Sequence, residues 1–194
     1  MVGVKCGDYL AFFHDDRRFY ASSGKATGRF DVFSVRSADG GLTWSNPTLI
    51  AHLPDVHLCE PGVLRSPDGR QIALLLRENA RKKNSHVVFS NNEGVTWSAP
   101  REVPASLTGE RHTAVYAPDG RLFISFRDMA EGSLTKGDRV ARVGTYDDST
   151  DCAYPGVVVL RDGTIVATTY GHWTQGEQPY ILSVRLKLSE LDRR

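Results

Sequence analysis

The sequence predicts an all-β chain: a β-propeller of four-stranded antiparallel blades, of which about three and a half are present. Three observations lead there. Short apolar runs flank an Asp-Gly pair at several places, the strongest short-range signal of a β-hairpin. The units of four short strands recur every 43–53 residues, a period typical of stacked repeat units. Helical periodicity is almost absent, which leaves strands and turns to build the core.

The elements follow in order. The chain opens on a fragment, Gly7-DYLAFF-His14-Asp15, which matches Gly120-RLFISF-Arg127-Asp128 position for position. Only Val2 to Val4 remain ahead of it to form an inner strand. A strand over Phe30 to Val35 leads into Ser37-ADGGLT-Trp44. The first full hairpin runs from Glu60 to Arg77 through Asp68-Gly69. A strand over His86 to Phe89 then leads into Ser90-NNEGVT-Trp97, 53 residues after its first copy. In both copies the Asp or Asn side chain is suited to bond amides of its own loop, Gly supplies an unusual backbone angle, and Trp is expected in the core. The second hairpin spans Arg111 to Arg127 through Asp119-Gly120, followed by a strand over Val140 to Gly144. The third spans Tyr154 to Tyr170 through Asp162-Gly163. In all three the turn Asp lies eight residues after the opening residue, so Glu60, Arg111 and Tyr154 are equivalent. Blade boundaries fall near 1–53, 54–103, 104–149 and 150–194.

Composition narrows the function. The 194 residues are 40% hydrophobic, enough for a packed core and too much for a disordered chain. Lys and Arg number 24 against 23 Asp and Glu, a net charge of +1, so no basic stripe points to nucleic acid. The longest apolar runs, Ile72 to Leu76 and Val157 to Leu160, are far too short for a membrane-spanning helix. The opening MVGVKCGDYLAFF has no signal-peptide pattern, which leaves either a cytoplasmic protein or an upstream part outside this chain. Cys6, Cys59 and Cys152 lack metal or redox spacing and read as buried apolar groups. His52 and His57 have no third ligand nearby, so no metal and no cofactor are expected.

The motif Ser-x-Asp/Asn-x-Gly-x-Thr-Trp resembles the Asp-box of sialidases (neuraminidases), which are six-bladed β-propellers. The order of residues at the hairpin ends is similar to that family too. There, a Glu opening an inner strand is followed about one hairpin later by an Arg that holds the sialic acid carboxylate; Glu60 and Arg77 match that pair. Tyr154, just before an Asp-Gly turn, matches the family's catalytic Tyr, and Arg127 matches the Arg that precedes it, with Arg139 and Arg142 as substitutes. The resemblance covers nearly the whole chain and implies an exo-acting glycosidase that retains configuration. Tyr154 would be the nucleophile, Glu60 its base, and Arg77 and Arg127 the carboxylate holders.

The chemistry suits those residue types. Sialic acid carries a carboxylate on its anomeric carbon, so a neutral phenol avoids the like-charge repulsion a carboxylate nucleophile would meet. A phenol with a pKa of about 10 needs a base to attack at neutral pH. Arginine stays charged and bonds both carboxylate oxygens with one planar fork. Arg111 occupies the position of Glu60 one repeat later and, with His112, is a further candidate for the channel.

Blander roles exist for the same residues. Tyr154 is also readable as an inner-strand aromatic, Arg77 and Arg127 as partners of Glu78 and Asp128, and Arg81-Lys82-Lys83 as a solvated loop. His172 and Trp173 either flank the site mouth or pack a turn. The family's first carboxylate-binding Arg and its acid/base Asp belong to early blades with no match here. Asn92 replaces Asp in the second box, and the third blade has none. The rival reading is therefore a non-catalytic Asp-box propeller that binds carbohydrate or protein. An open stack exposes two apolar faces, which predicts either further blades from a longer chain or self-association.

Overall fold

Four antiparallel sheets follow one another through residues 1–18, 27–128, 154–171 and 176–192, which the computed structural model describes. The first sheet contains β1 (Val2–Gly3), β2 (Tyr9–Asp15), β3 (Asp31–Ser37) and β4 (Thr48–Ala51), hydrogen-bonded in that order. The second repeats the pattern with β5 (Leu58–Arg65), β6 (Ile72–Glu78), β7 (His86–Ser90) and β8 (Arg101–Glu102). The third pairs β9 (Gly109–Tyr116) with β10 (Leu122–Asp128), and the fourth orders β11 (Gly156–Val159), β12 (Ile165–Gly171) and β13 (Tyr180–Leu186). A short helix, α1 (Leu188–Leu191), ends the described chain and was not expected from the sequence. No sheet closes on itself among the described residues. The strand expected over Val140 to Gly144 lies outside them, as do Arg139, Arg142, Cys152, His172 and Trp173.

The hairpins form where the Asp-Gly pairs place them. Gly69, Gly120 and Gly163 have φ of 70, 84 and 80°, the left-handed region that a residue without Cβ enters freely. Asp68, Asp119 and Asp162 each accept the amide two residues on at 3.0 Å. In the first sheet Val2 and Gly3 pair with Leu10 and Tyr9, so the short inner strand is retained.

The two Ser-x-Asp/Asn-x-Gly-x-Thr-Trp loops share one hydrogen-bond pattern. Asp39 Oδ1 accepts the amides of Leu42 and Thr43 at 3.1 and 2.9 Å, and Asp39 Oδ2 accepts the Thr43 hydroxyl at 2.5 Å. Ser37 Oγ takes the Gly41 amide at 2.8 Å, and Trp44 Nε1 donates to the Gly41 carbonyl at 3.1 Å. In the second loop Asn92 Oδ1 accepts the Thr96 amide at 2.9 Å, while Asn92 Nδ2 donates to Thr96 Oγ1 at 2.8 Å. The amide thus reproduces the loop with the hydroxyl turned from donor to acceptor.

Packing between the sheets explains why Ile72 to Leu76 is an unbroken apolar run. Leu74 and Leu76 face the first sheet with Val32, Val56, Leu58 and Val88. Leu75 turns the other way, with Val87 and Val103, toward Ala114 and Ile124 of the third sheet. A strand buried on both faces needs no polar alternation. Trp97 meets Phe12 edge-on at 5.6 Å between the first two sheets. Trp44 departs from the expected core position: it is 39% exposed, because no described sheet stands beside the first one where Phe12 stands for Trp97.

Two outcomes follow. The Thr43 hydroxyl and amide and the Ser37 hydroxyl hold the Asp39 carboxyl at about 2, below its unfolded value of about 3.9. That stabilisation is complete above about pH 4 and is lost as pH falls toward 2. The melting temperature of Asp39→Asn should therefore drop less between pH 5 and pH 2 than that of the parent. Gly62 lies where any Cβ would collide with the His112 carbonyl on β9. Gly62→Ala should lower stability by about 1–3 kcal/mol in urea unfolding, the usual cost of overpacking.

Candidate functional site

Identical irregularities in β5 and β9 create the site. Cys59 pairs with Arg77 and Gly62 with Leu75, leaving Glu60 and Pro61 opposite Leu76 alone. Glu110 pairs with Arg127 and Thr113 with Ser125, leaving Arg111 and His112 opposite Phe126 alone. At both bulges the first extra residue is left-handed, with φ of 48° at Glu60 and 57° at Arg111. A side chain with a Cβ in that region costs about 1–3 kcal/mol, and a bulge re-aims the side chain it carries.

The re-aimed side chains meet those at the ends of the second strands. Glu60 Oε1 accepts Arg77 Nη1 at 2.8 Å and lies 3.2 Å from Arg111 Nη2. Arg77 Nη2 reaches Glu110 Oε1 at 3.1 Å. Glu110 Oε1 also accepts Arg81 Nη2 at 2.7 Å, and Oε2 accepts Arg127 Nη1 at 2.7 Å. The guanidinium of Arg111 sits 3.3 Å over the Tyr154 ring, whose other neighbour is Tyr170, stacked at 5.7 Å between centroids. One contact chain thus runs from Tyr170 to Arg127 across the second, third and fourth sheets.

The first sheet adds His14, whose Nδ1 accepts the Glu60 amide at 3.3 Å. Burial holds its imidazole below the ordinary value, against the opposing pull of the Glu60 carboxylate. Accepting at Nδ1 places the ring proton on Nε2. No group of three or more His, Cys, Asp or Glu suited to a metal occurs among the described residues.

Residues 8–167 match the family model described as BNR repeat-like domain. The chain belongs to the BNR repeat-like domain family. No curated protein matches this BNR-repeat chain. Among solved structures it is similar to a protein of unknown function from Dyadobacter fermentans DSM 18053, with 21% identity, a TM-score of 0.73, and coverage of 96% of this chain and 52% of that one. It is also similar to a Hadza microbial sialidase, at 14% identity and TM-score 0.54, covering 94% and 43%. A third likeness is to an exo-β-1,3-galactanase from Phanerochaete chrysosporium, at 12% identity and TM-score 0.53, covering 90% and 44%. The BNR-repeat chain therefore has a sialidase-like fold and spans about half the length of these structures.

Within this BNR-repeat fold the expected residues Glu60, Arg77, Arg111, Arg127 and Tyr154 join one contact chain. The arrangement differs in detail from the expected one. No hydrogen bond joins Tyr154 to Glu60 among the described residues, because Arg111 pairs with the carboxylate and covers the phenol ring. Arg77 pairs with Glu60 and Glu110 rather than with Glu78, whose carboxylate accepts the amides of Ala80, Lys82 and Lys83. Arg81 is more than a solvated loop residue, since it binds Glu110. His112 turns inward: it bonds the Leu107 carbonyl at 2.9 Å and stacks on Phe126. Cys59 is buried as expected, and its thiol is pushed up to about 12, chiefly by that burial, whereas Cys6 is exposed, contrary to expectation.

Sequence reading missed Glu110 and His14. Glu110 holds the position of the buried Cys59, and an acid in a register position that is apolar elsewhere was the available signal. His14 was legible from the match of its segment to the one ending in Arg127.

Glu110 is 1% exposed and holds three guanidinium groups. Glu110→Gln removes the counter-charge and should lower the unfolding free energy by roughly 3–5 kcal/mol, as breaking a buried ion pair does. Urea denaturation measures it, with Arg70→Gln as the exposed-charge control.

Proposed function

We propose that this chain is part of a sialidase-like β-propeller whose strand-end pocket takes a terminal anionic sugar of the sialic acid type and cleaves it with retention. One observation carries the reading. Arg77, Arg111 and Arg127, whose side chains are 15, 25 and 19% exposed, share two carboxylates, Glu60 and Glu110. With Arg81, which also binds Glu110, guanidinium groups outnumber carboxylates in this described cluster, a setting that suits an anionic ligand. Arg139 lies outside the described residues and remains a candidate for the same role.

In this reading the sugar carboxylate exchanges with Glu60 on Arg111. The freed Glu60 then accepts the Tyr154 hydroxyl proton as the phenol oxygen bonds to the anomeric carbon, the glycosidic bond breaks, and the departing alcohol oxygen takes a proton from solvent water. Water afterwards cleaves the tyrosyl glycoside, its oxygen bonding to the anomeric carbon and its proton passing to solvent, while Glu60 returns its proton to the departing Tyr154 oxygen. Blades from a longer chain, or a second copy, would cover the exposed Val158 and Ile181 of the fourth sheet.

A second reading, a non-catalytic propeller that binds carbohydrate or protein, is favoured by the place of Arg111 between Glu60 and Tyr154. Turnover of a fluorogenic sialoside separates the two. The catalytic reading expects activity that falls about a thousandfold or more in Tyr154→Phe, with binding of N-acetylneuraminic acid kept. Binding without turnover in the parent chain supports the second reading, and equal activity in Tyr154→Phe removes Tyr154 as nucleophile.

A further inference from the structure

His14 brings the first sheet to the site through its Nδ1, which accepts the Glu60 amide at 3.3 Å across the gap between β2 and β5. The equivalent places on β6 and β10 carry Arg77 and Arg127. A guanidinium has donors only, so neither could take the amide of a bulged residue in the next sheet. Histidine takes one only while neutral, because both ring nitrogens of the charged form are donors.

The contact falls on a residue that needs holding. Glu60 is left-handed, φ 48°, a strained conformation that persists only where its surroundings over-determine it. Its Oε1 is bound by Arg77 and Arg111, while Oε2 is buried with no hydrogen bond among the described residues. His14 is the side chain that holds the backbone of the same residue.

Charges converge on His14 from several strands. Burial is the largest influence and holds its imidazole below the ordinary value. Glu60 from β5 and Asp15 from its own strand draw a proton toward it, whereas Arg77 from β6 and Arg111 from β9 oppose one. Asp31 of β3 lies opposite Asp15, and Arg17 and His52 occupy its two oxygens. The Phe30 ring meets His14 edge-on at 5.0 Å, with His57 beyond it at 6.5 Å. A proton on Nδ1 thus removes the acceptor and adds a third cation beside two guanidinium groups.

We infer that His14 is a positioning residue for Glu60 and a pH gate on the site: its neutral imidazole seats the bulge by accepting the Glu60 amide, and protonation releases it. The inference rests on the proposed reading, in which Glu60 is the base, and adds the condition under which that base is in place. Because His14 is held below its unfolded value of about 6.5, its contribution to stability is complete above that pH. The contribution is lost as pH falls below it.

Three measurements on the full chain test this. Nitrogen NMR at about pH 7.5 should find the His14 proton on Nε2, and a proton on Nδ1 overturns the acceptor role. His14→Asn places a carbonyl oxygen near the position of Nδ1 and does not titrate, whereas His14→Phe keeps a ring against Phe30 without an acceptor. Between about pH 7.5 and pH 5 the parent should lose about 2–4 °C more in melting temperature than His14→Asn. His86 and His112, also held low by burial, titrate in both proteins, so the difference belongs to His14. Equal losses overturn the gate. In turnover of the fluorogenic sialoside, the acid limb of kcat should move to lower pH in His14→Asn, and His14→Phe should fall about tenfold or more below His14→Asn at about pH 7.5. An acid limb that stays in place in His14→Asn overturns the control of Glu60 by His14. Absence of turnover by the parent at every pH removes the catalytic reading instead, and the tautomer and the melting comparison then decide the role of His14.

Discussion

Glu110 is a nearly fully buried carboxylate bound to three guanidinium groups, and the rest of the site takes its shape from that contact. Its partners come from two sheets: Arg127 lies across the hairpin, whereas Arg77 and Arg81 come from the neighbouring sheet. The ion cluster therefore locks two hairpins together at one end, where the apolar cluster of Leu75, Val87 and Val103 joins them further along. Moving such charges out of water is unfavourable unless the bonds are well made, so the cluster confines its members to a narrow set of positions. Arg77 transmits that order to Glu60, and Glu60 transmits it to Arg111 and Tyr154.

Repetition supplies the frame and substitution supplies the chemistry. The same bulge and left-handed residue occur in two successive hairpins, yet one carries an acid and the other a base. Opposite charges at equivalent places in adjacent sheets attract across the gap, as the contact of Glu60 with Arg111 shows. At the neighbouring strand-end position the sheets carry His14, Arg77, Arg127 and Tyr170 in turn. A backbone that repeats itself thus presents three kinds of side chain at four equivalent places along one edge, and two of them, Arg77 and Arg127, meet on Glu110.

Most of the fold was legible because its signals are local. Gly69, Gly120 and Gly163 mark their turns by needing a left-handed backbone, and each Asp before them bonds an amide two residues away. The Ser-x-Asp/Asn-x-Gly-x-Thr-Trp loops are likewise closed by contacts within eight residues. The site was only partly legible. Register brought Glu60, Arg111 and Tyr154 to equivalent places, but it contained no information about which charges would pair. Arg77 beside Glu78 suggested a local pair, whereas the backbone amides of the next loop take Glu78 and free Arg77 for Glu60 and Glu110. Trp44 and Trp97 share one motif and differ in exposure because only Trp97 has a described sheet beside it.

By itself the sequence determined the strands, the Asp-Gly turns, the repeat register and the residue types at the hairpin ends. Each depends on contacts within a few residues or on a periodicity that needs no knowledge of distant neighbours. Tertiary structure alone decided that Glu110 would be the centre of the charge cluster, that Arg81 would reach it from an exposed loop, and that Arg111 would lie between Glu60 and Tyr154. The reason is that a charged side chain several bonds long selects its partner only after neighbouring sheets have excluded water and fixed the distances between carboxylates and guanidinium groups.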